Sequence, residues 1–349
     1  GSADPDPYPY SFQESRSSEQ SSDRIATRLM QTITKRLYGF AVCLFLLAVI
    51  FVYAESRPPR LFPENVAVTV AKGMTLSEAA ELLAHNHLIR STFLFKVYAT
   101  IVGRGDTALK SGQYLFTDST STYDVANRLV KGIGGFPMLK FTIPEGTDSS
   151  DIAGIIARQI PKFDAQSFIA AARPYEGYLF PETYFWPSNI QPTQVISIMR
   201  QQFMDQTSTT SVAEIISSST RSLDDIVKMA AILEREASST ADRRAIAGIL
   251  WKRLDAGVPL QVDAPFEYFL NKSSSELTRD DLAKKSPYNL YLNKGLGPTA
   301  IANPGISAIV DAASPTASKY WYYLSDKHGV LHYAATLEGH AANKNKYLP

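Results

Sequence analysis

The chain has 349 residues, of which 45% are hydrophobic and 20% are charged, so it can bury the cores of two or three domains. Its 35 basic residues nearly balance 34 acidic ones, and this argues against a nucleic-acid partner, which usually requires a basic face. A single cysteine, Cys43, excludes an intramolecular disulfide and a cysteine-based zinc site. The five histidines are scattered, so no metal site is expected.

An uncharged run at residues 37–54 (LYGFAVCLFLLAVIFVYA) is the first clear element. Its length corresponds to about 27 Å of α-helix, close to the thickness of the hydrocarbon core of a bilayer. It carries no polar stripe, so it predicts a membrane-spanning helix. A cleaved signal peptide is the rival interpretation, because Val52-Tyr53-Ala54 resembles a cleavage site, but the 36 residues before the run exceed a usual n-region.

Residues 1–36 are rich in Ser, Pro, Asp and Glu, and this composition predicts a disordered cytoplasmic tail. More basic residues precede the helix than closely follow it, and the positive-inside rule then places the N-terminus in the cytoplasm. The residues counted are Arg24, Arg28, Lys35 and Arg36 before the helix, and Arg57 and Arg60 after it. We therefore expect a single-pass protein of the cytoplasmic (inner) membrane, with a proline-stiffened linker at 55–63 and the rest of the chain outside the cytoplasm.

Residues 64–143 predict a small α+β module with the order strand, helix, helix, strand, helix, strand. Residues 66–72 alternate as a strand does, and Thr75 with Glu78 forms a capping box for the helix that follows. The opening strand-helix-helix-strand resembles the LysM-like fold, which binds glycan chains. A simple spacer domain is the alternative.

Residues 144–349 predict a second, mixed α+β domain. Within it, residues 229–233 (MAAIL) are apolar on every side, so the helix that contains them is expected to be buried all round. Two acids, Glu234 and Glu236, follow on the same helix. At the rotation of an α-helix they point about 200° apart, so only one of them can face a given cleft.

A carboxyl group on such a helix loses hydration, which disfavours its anion. This effect can raise the pKa toward ~6, so that the group holds a proton near neutral pH. One of the two glutamates is therefore a candidate general acid. The alternative is a solvated charged cluster at a helix end, paired with Arg235 or Arg243.

A loop-like stretch at 286–305 encloses Tyr288, Asn289 and Tyr291 between glycines and prolines. Amide and aromatic side chains of this kind suit the hydroxyls and ring faces of sugars. A structural role is the alternative for each of them.

Taken together, these motifs resemble the YceG-like family of endolytic murein transglycosylases. The resemblance covers roughly residues 60–349 and is carried by IPEGT, YEGYLFPETY, LEREA, LQVDA, the stretch 286–305 and the EGH at 338–340. The membrane helix and the LysM-like module fit the layout of that family. The fold class implied is α+β, with one N-terminal transmembrane helix, a small LysM-like module and a mixed α+β catalytic domain.

The resemblance implies lytic cleavage of the β-1,4 bond between MurNAc and GlcNAc in nascent peptidoglycan strands, without a cofactor. The catalytic glutamate of the family falls on Glu236, and Glu234 would hold neighbouring structure. Protonated Glu236 would donate to the glycosidic oxygen and then take the proton of the MurNAc C6 hydroxyl, which attacks C1 and leaves a 1,6-anhydro end. An intramolecular nucleophile explains why one acid suffices, whereas most glycosidases that use water need two.

The same resemblance implies a substrate groove and protein partners. The predicted groove residues are Gln261, Asp263, Tyr288, Asn289 and Tyr291, with Glu176, Tyr184 and His340 behind them. The loop departs from the usual sequence of the family at Leu290, Gly297, Thr299 and Ala300. Peptidoglycan synthases are the protein partners that the resemblance implies.

Two other functions stay open on the sequence. A non-catalytic glycan-binding adaptor would use the first module and the aromatic loop to position synthetic or division proteins at the membrane. A muramidase would hydrolyse the same bond, with Asp263 or Glu267 as a second carboxylate, and would leave reducing MurNAc ends.

Overall fold

The computed structural model describes residues 11–63, 65–106 and 108–348, and the side chains of residues 29, 30 and 32 onward. The chain divides into two compact units, residues 1–136 and 137–349. Helices and small antiparallel sheets occur in both units, which confirms the predicted α+β class.

The first unit begins with helix α1, Ser11–Ser56. Its segment Thr32–Ser56 has 25 residues and a mean hydropathy of 2.5, and its most apolar part is exposed throughout. This segment is long and apolar enough to cross a membrane.

Helix α1 is longer than the predicted span of 37–54. Residues 11–36 are helical, which differs from the expectation of disorder for this part of the chain. The physical reason is that no glycine or proline stands between Pro9 and Gly39, so nothing in the backbone stops the helix. Residues 1–10 of the predicted tail lie outside the described residues.

The remainder of the first unit is a two-stranded sheet covered by three helices. Its elements are β1 (Val66–Val70), α2 (Leu76–His85), α3 (Thr92–Val102), β2 (Gly112–Phe116) and α4 (Thr122–Lys131). Strand β1 pairs antiparallel with β2, with Val68 opposite Tyr114, and one hydrophobic core joins all five elements. The predicted capping box of Thr75 and Glu78 at the start of α2 is confirmed.

The second unit is mostly helical, with two separate antiparallel strand pairs. Its elements are β3 (Met138–Thr142), α5 (Ser149–Gln159), α6 (Ala165–Ala172), β4 (Thr183–Pro187), α7 (Pro192–Thr207), α8 (Thr210–Ser218), α9 (Leu223–Glu236), α10 (Thr240–Asp255), α11 (Ala264–Leu270), α12 (Arg279–Leu282), α13 (Ile306–Ala313), β5 (Tyr322–Ser325), β6 (Leu331–Ala334) and α14 (Leu337–Tyr347). Strand β3 pairs with β4, and β5 pairs with β6.

Strand β3 lies on the other side of the unit boundary from its predicted place. The sequence pattern assigned it to the first module, 64–143, whereas its partner β4 belongs to the second unit. Phe141 of β3 packs in the core that Trp186 of β4 also lines. A strand belongs to the unit that contains the strand with which it forms backbone hydrogen bonds. The residues of β3 themselves do not indicate that this partner is β4.

Helix α9 passes through the interior of the second unit. Residues 229–233 are at most 3% exposed, which confirms that this helix is buried all round. Ser222 caps its start by accepting the N–H of Asp225. The helix ends at Glu236 because Ala237 adopts an extended conformation. An apolar helix therefore delivers a carboxyl group at its C-terminal end.

Gly177 allows α9 and its neighbours to approach closely. Its φ is +93°, and a Cβ there would lie 2.6 Å from side-chain carbons of both Ala300 and Val227. We expect Gly177→Ala to destabilise the second unit by roughly 2–4 kcal/mol, from the left-handed backbone and from overpacking.

Gly154→Ala is the matched control for this substitution. Gly154 lies on the exposed side of α5 with no atom near the added carbon, so the variant should gain about 0.5–1 kcal/mol. All three tryptophans lie in the second unit, so denaturation followed by tryptophan fluorescence measures it selectively. Equal stability of the two variants would contradict the close approach at Gly177.

Candidate active site

Glu236, at the end of α9, is partly buried, and its carboxylate accepts a hydrogen bond of 2.9 Å from the hydroxyl of Tyr323. Burial raises the pKa of Glu236 to about 7; the nearby charge of Asp263 acts in the same direction, while Tyr323 and the N–H of Ala264 oppose it. The partial negative charge at a helix C-terminus also disfavours a carboxylate there. Glu236 can therefore hold a proton near neutral pH.

Glu234 points into a different environment. Its carboxylate accepts the N–H of Gly305 at 2.9 Å and lies 3.9 Å from the guanidinium of Arg243. Arg235 turns away from both glutamates, since it donates to the carbonyl of Gly146 and lies 2.7 Å from Glu267. Glu234 thus connects α9 to the loop before α13, which is the structural role expected for it.

Asp263 and Tyr291 meet beside Glu236. Asp263 immediately precedes α11, and its carboxylate accepts a hydrogen bond of 2.6 Å from the hydroxyl of Tyr291. The charge of Asp263 acts on Glu236, and the charge of Glu236 acts on Tyr291. The fold therefore brings these two predicted residues together with the candidate acid.

Gln261 contacts the loop at 286–305, to which Tyr288 belongs. Gln261 is exposed and has a left-handed φ of 51°; its N–H donates to the carbonyl of Leu290, and its side-chain oxygen accepts from Arg253 at 2.7 Å. Tyr288 is partly exposed, and its hydroxyl lies 2.9 Å from that of Thr299. Both side chains keep access to solvent.

Asn289 is 0% exposed, unlike the tyrosines beside it. Its amide nitrogen donates to the carbonyls of Leu282 and Lys284, and its oxygen accepts the N–H of Tyr291. The prediction of a direct sugar contact is therefore wrong for this residue. Its amide holds the loop that presents Tyr291.

Glu176 and Tyr184 are also buried rather than exposed in a groove. Glu176 is 1% exposed and accepts hydrogen bonds from the Ser149 hydroxyl (2.7 Å) and the Asn303 amide (2.8 Å). The hydroxyl of Tyr184 donates to the carbonyl of Phe180 at 2.6 Å. Both side chains are therefore held inside the second unit by hydrogen bonds to protein groups.

His340 lies on α14, where its ring stacks on Tyr322 with 5.2 Å between ring centroids. Burial lowers the pKa of His340, and the positive charges of Lys344 and Arg253 lower it further, so the imidazole favours its neutral form. Its Nδ1 is buried without a hydrogen-bond partner among the described residues.

Sequence reasoning missed Tyr323, the hydrogen-bond partner of Glu236, and Arg253, the partner of Gln261. Tyr323 stands in the aromatic run YWYYL, whose residue types favour a strand but do not indicate which residues it contacts. Arg253 reads as an ordinary basic residue in the last turn of a helix. No local signal connects either residue to the acid.

The fold and the site define an α+β protein with an apolar N-terminal helix and an acid suited to general acid catalysis. The model of the YceG-like family matches residues 68–346, so the chain belongs to the YceG-like family.

Similar proteins support this assignment. An endolytic murein transglycosylase of Bacillus subtilis strain 168 is 29% identical over 314 residues, which are 81% of this chain and 85% of that protein. One of Streptococcus pneumoniae strain R6 is 28% identical over 326 residues, and the match covers 81% of this chain and 58% of that longer protein. The crystal structure of a YceG-like protein from Listeria monocytogenes, 28% identical, gives a TM-score of 0.52 and covers 80% of this chain and 99% of that one.

The buried carboxyl of Glu176 predicts a pH-dependent stability. Burial raises its pKa to about 7 from 4.5, against the hydrogen bonds of Ser149. The folded state therefore holds this proton more tightly than the unfolded state, and stability falls as the pH rises from 4.5 to about 7. Glu176→Gln removes the titration, so its melting temperature should rise relative to wild type over this range and stay level above it.

Tryptophan fluorescence melts of both proteins from pH 4.5 to 8.5 measure the difference. Glu236 titrates in both proteins, so its contribution cancels. Glu214→Gln, at an exposed position on α8, is the control and should show a difference that does not depend on pH. A constant difference for Glu176→Gln would contradict the raised pKa.

Proposed function

We propose that this protein is a membrane-anchored lytic transglycosylase that cleaves the glycan strands of peptidoglycan. The observation that carries the proposal is Glu236, a proton-holding carboxyl with a pKa of about 7 at the end of a buried helix. The relatives from Bacillus subtilis and Streptococcus pneumoniae, which are named endolytic murein transglycosylases, support the substrate class.

The proposed reaction breaks the β-1,4 bond between MurNAc and GlcNAc. Protonated Glu236 donates to the glycosidic oxygen, which leaves C1 of MurNAc with the bonding electrons. The resulting carboxylate then accepts the proton of the MurNAc C6 hydroxyl, and O6 bonds to C1. The product is a 1,6-anhydro end, Glu236 regains its proton, and no water is consumed.

Asp263 has a separate role in this proposal. A glycosidic bond breaks through a transition state with positive charge at C1. A carboxylate beside Glu236, held in one orientation by Tyr291, suits the stabilisation of that charge. Asp263 is also the residue that would activate water if the enzyme were a muramidase.

We assign the sugar contacts to the predicted residues that keep access to solvent, and the support of the groove to the buried ones. The first set is Gln261, Asp263, Tyr288, Tyr291 and His340, and the second is Glu176, Tyr184 and Asn289. In the first set, aromatic rings offer stacking faces and the amide and carboxylate offer hydrogen bonds to hydroxyls.

The anchor of this enzyme is the apolar segment Thr32–Ser56. We propose that the N-terminus lies in the cytoplasm and that the part of the first unit after α1, together with the second unit, acts at the outer face of the cytoplasmic membrane, where nascent strands emerge. The sequence of the predicted module, residues 64–143, resembles a LysM-like fold, and we propose on this basis that the part of the first unit after α1 contacts glycan. Peptidoglycan synthases are the protein partners that this location favours.

Glu236→Gln tests the catalytic assignment. Removing the proton donor should lower the rate of formation of anhydro ends by at least about 10²-fold, because general acid catalysis contributes about 10²–10⁴. Binding to glycan should persist, because the substitution keeps size and polarity. The measurement is mass spectrometry of the ends formed from purified glycan strands by the detergent-solubilised chain.

The outcomes separate the candidate functions. The matched control, Glu214→Gln, lies on the exposed surface of α8 and should keep full activity. Binding by the wild-type chain without any cleavage would favour the adaptor, and reducing ends, one water heavier, would favour the muramidase. Activity that survives Glu236→Gln would contradict the assignment of the acid.

Tyr323→Phe tests whether the pKa of Glu236 sets the pH dependence of the reaction. Since Glu236 must be protonated to react, activity should fall as the pH rises through about 7. The hydroxyl of Tyr323 stabilises the carboxylate, so its removal should raise the pKa and move the alkaline limb upward by roughly 0.5–1 pH unit. A limb that stays in place, or moves to lower pH, would count against Glu236 as proton donor.

A further inference from the structure

Arg253, in the last turn of α10, is a buried cation without an acidic partner. It is 5% exposed, yet no carboxylate of the described part of the chain lies within ion-pair distance of its guanidinium. The other buried arginine of the unit, Arg243, pairs with Asp311 at 2.8 Å. Burying an unpaired charge is costly, so an arginine kept in this state calls for an explanation.

The hydrogen bonds of Arg253 leave part of its guanidinium free. Nη2 donates to the carbonyl of Pro259 and to the side-chain oxygen of Gln261, both at 2.7 Å. Nε and Nη1 donate to no group among the described residues, and neither is sealed from solvent. One side of the guanidinium is thus held by protein, and the N–H groups of the other nitrogens remain available.

The guanidinium lies near the tyrosines that donate hydrogen bonds to Glu236 and Asp263. Its central carbon is 5.7 Å from the ring of Tyr322 on β5, and its charge acts on Tyr323, whose hydroxyl donates to Glu236. Its charge also acts on Tyr291, whose hydroxyl donates to Asp263, so Arg253 borders the candidate site.

His340 marks the same place independently. Its ring stacks on Tyr322, and its Nδ1 is buried with no partner in the described structure. A neutral imidazole beside a guanidinium adds a hydrogen-bonding atom but no negative charge. Two side chains that contact the ring of Tyr322 therefore each keep nitrogen atoms without a hydrogen-bond partner among the described residues.

We propose that Arg253 binds a carboxylate of the substrate next to the bond that Glu236 cleaves. The proposal rests on the proposed function, and it specifies which chemical group of the strand the site recognises. Charge-assisted N–H···O bonds from the free nitrogens would supply the missing counter-charge. Two sources share this chemistry: the carboxylates of a stem peptide, and the lactyl carboxylate of a MurNAc that carries no peptide.

Matched substrates test the proposal with the full chain in detergent at pH 6. One pair of strands carries stem peptides with free or amidated carboxylates, and the other pair is peptide-free with free or amidated lactyl groups. We expect kcat/KM to favour the free carboxylate by about tenfold or more in one pair, mainly through KM. The pair that shows the preference identifies the source.

Variants connect the preference to the guanidinium. Arg253→Gln should bring the ratio of kcat/KM values for free and amidated strands to near one, and Arg253→Lys should retain part of it. Arg221→Gln is the matched control, because Arg221 also lies over an aromatic ring, Trp251, but is paired with Asp255. It should keep the wild-type ratio.

The proposal is overturned if the wild-type chain treats free and amidated strands equally in both pairs, or if Arg253→Gln keeps the preference. If Arg253 acted only through its charge on Glu236, Arg253→Gln would change the pH profile equally for all four substrates. This result would also overturn the proposal.

Calorimetric binding of the same strands to Glu236→Gln separates this proposal from the proposed function. If wild type forms no anhydro ends, the proposed function fails, and the binding preference of Glu236→Gln still decides the role of Arg253. Tryptophan fluorescence shows whether Arg253→Gln folds. Should it unfold, equal binding of free and amidated strands by Glu236→Gln overturns the proposal, and a preference of about tenfold supports it.

Discussion

The burial of α9 is the constraint on which the candidate site depends. An apolar helix surrounded by α10, α11 and α13 can take only one rotation without exposing residues such as Met229 and Leu233. The acids at its end therefore have no freedom to exchange places. Glu234 must meet the N–H of Gly305, and Glu236 must meet the hydroxyl of Tyr323. Two glutamates two residues apart acquire different chemistry because the same helix turns them toward different surroundings.

A buried polar network holds the segments that surround this helix. Asn303, which is fully buried, accepts the N–H groups of Gly177 and Leu179 and donates to the carbonyl of Thr147 and to Glu176. These contacts join three stretches that are far apart in the chain. Because every polar atom named here has a partner, the hydrogen bonds offset part of the cost of burying the network. Its effect on the acid is indirect: it fixes the frame into which α9 packs.

The sequence predicted features that depend on residues close together in the chain better than features that depend on residues far apart. The helix start at Thr75 was predicted because an N-cap involves residues within one turn. The place of β3 was not, because its partner strand lies about 45 residues further on. The polar character of Asn289 suggested a sugar contact, but only packing decides whether an amide faces solvent or the loop carbonyls.

The sequence by itself determined the apolar N-terminal helix, the buried helix that ends in Glu236, and the motifs of the YceG-like family. Each of these depends on residue type and on periodicity over a few turns. Only the tertiary structure decided that Tyr323, 87 residues from Glu236, donates to it, and that Arg253 is buried without an acid. Such neighbours depend on how distant segments of the chain pack together. The pKa of an ionisable group is set by its burial, by nearby charges and by its hydrogen bonds, and none of these is fixed by its position in the sequence.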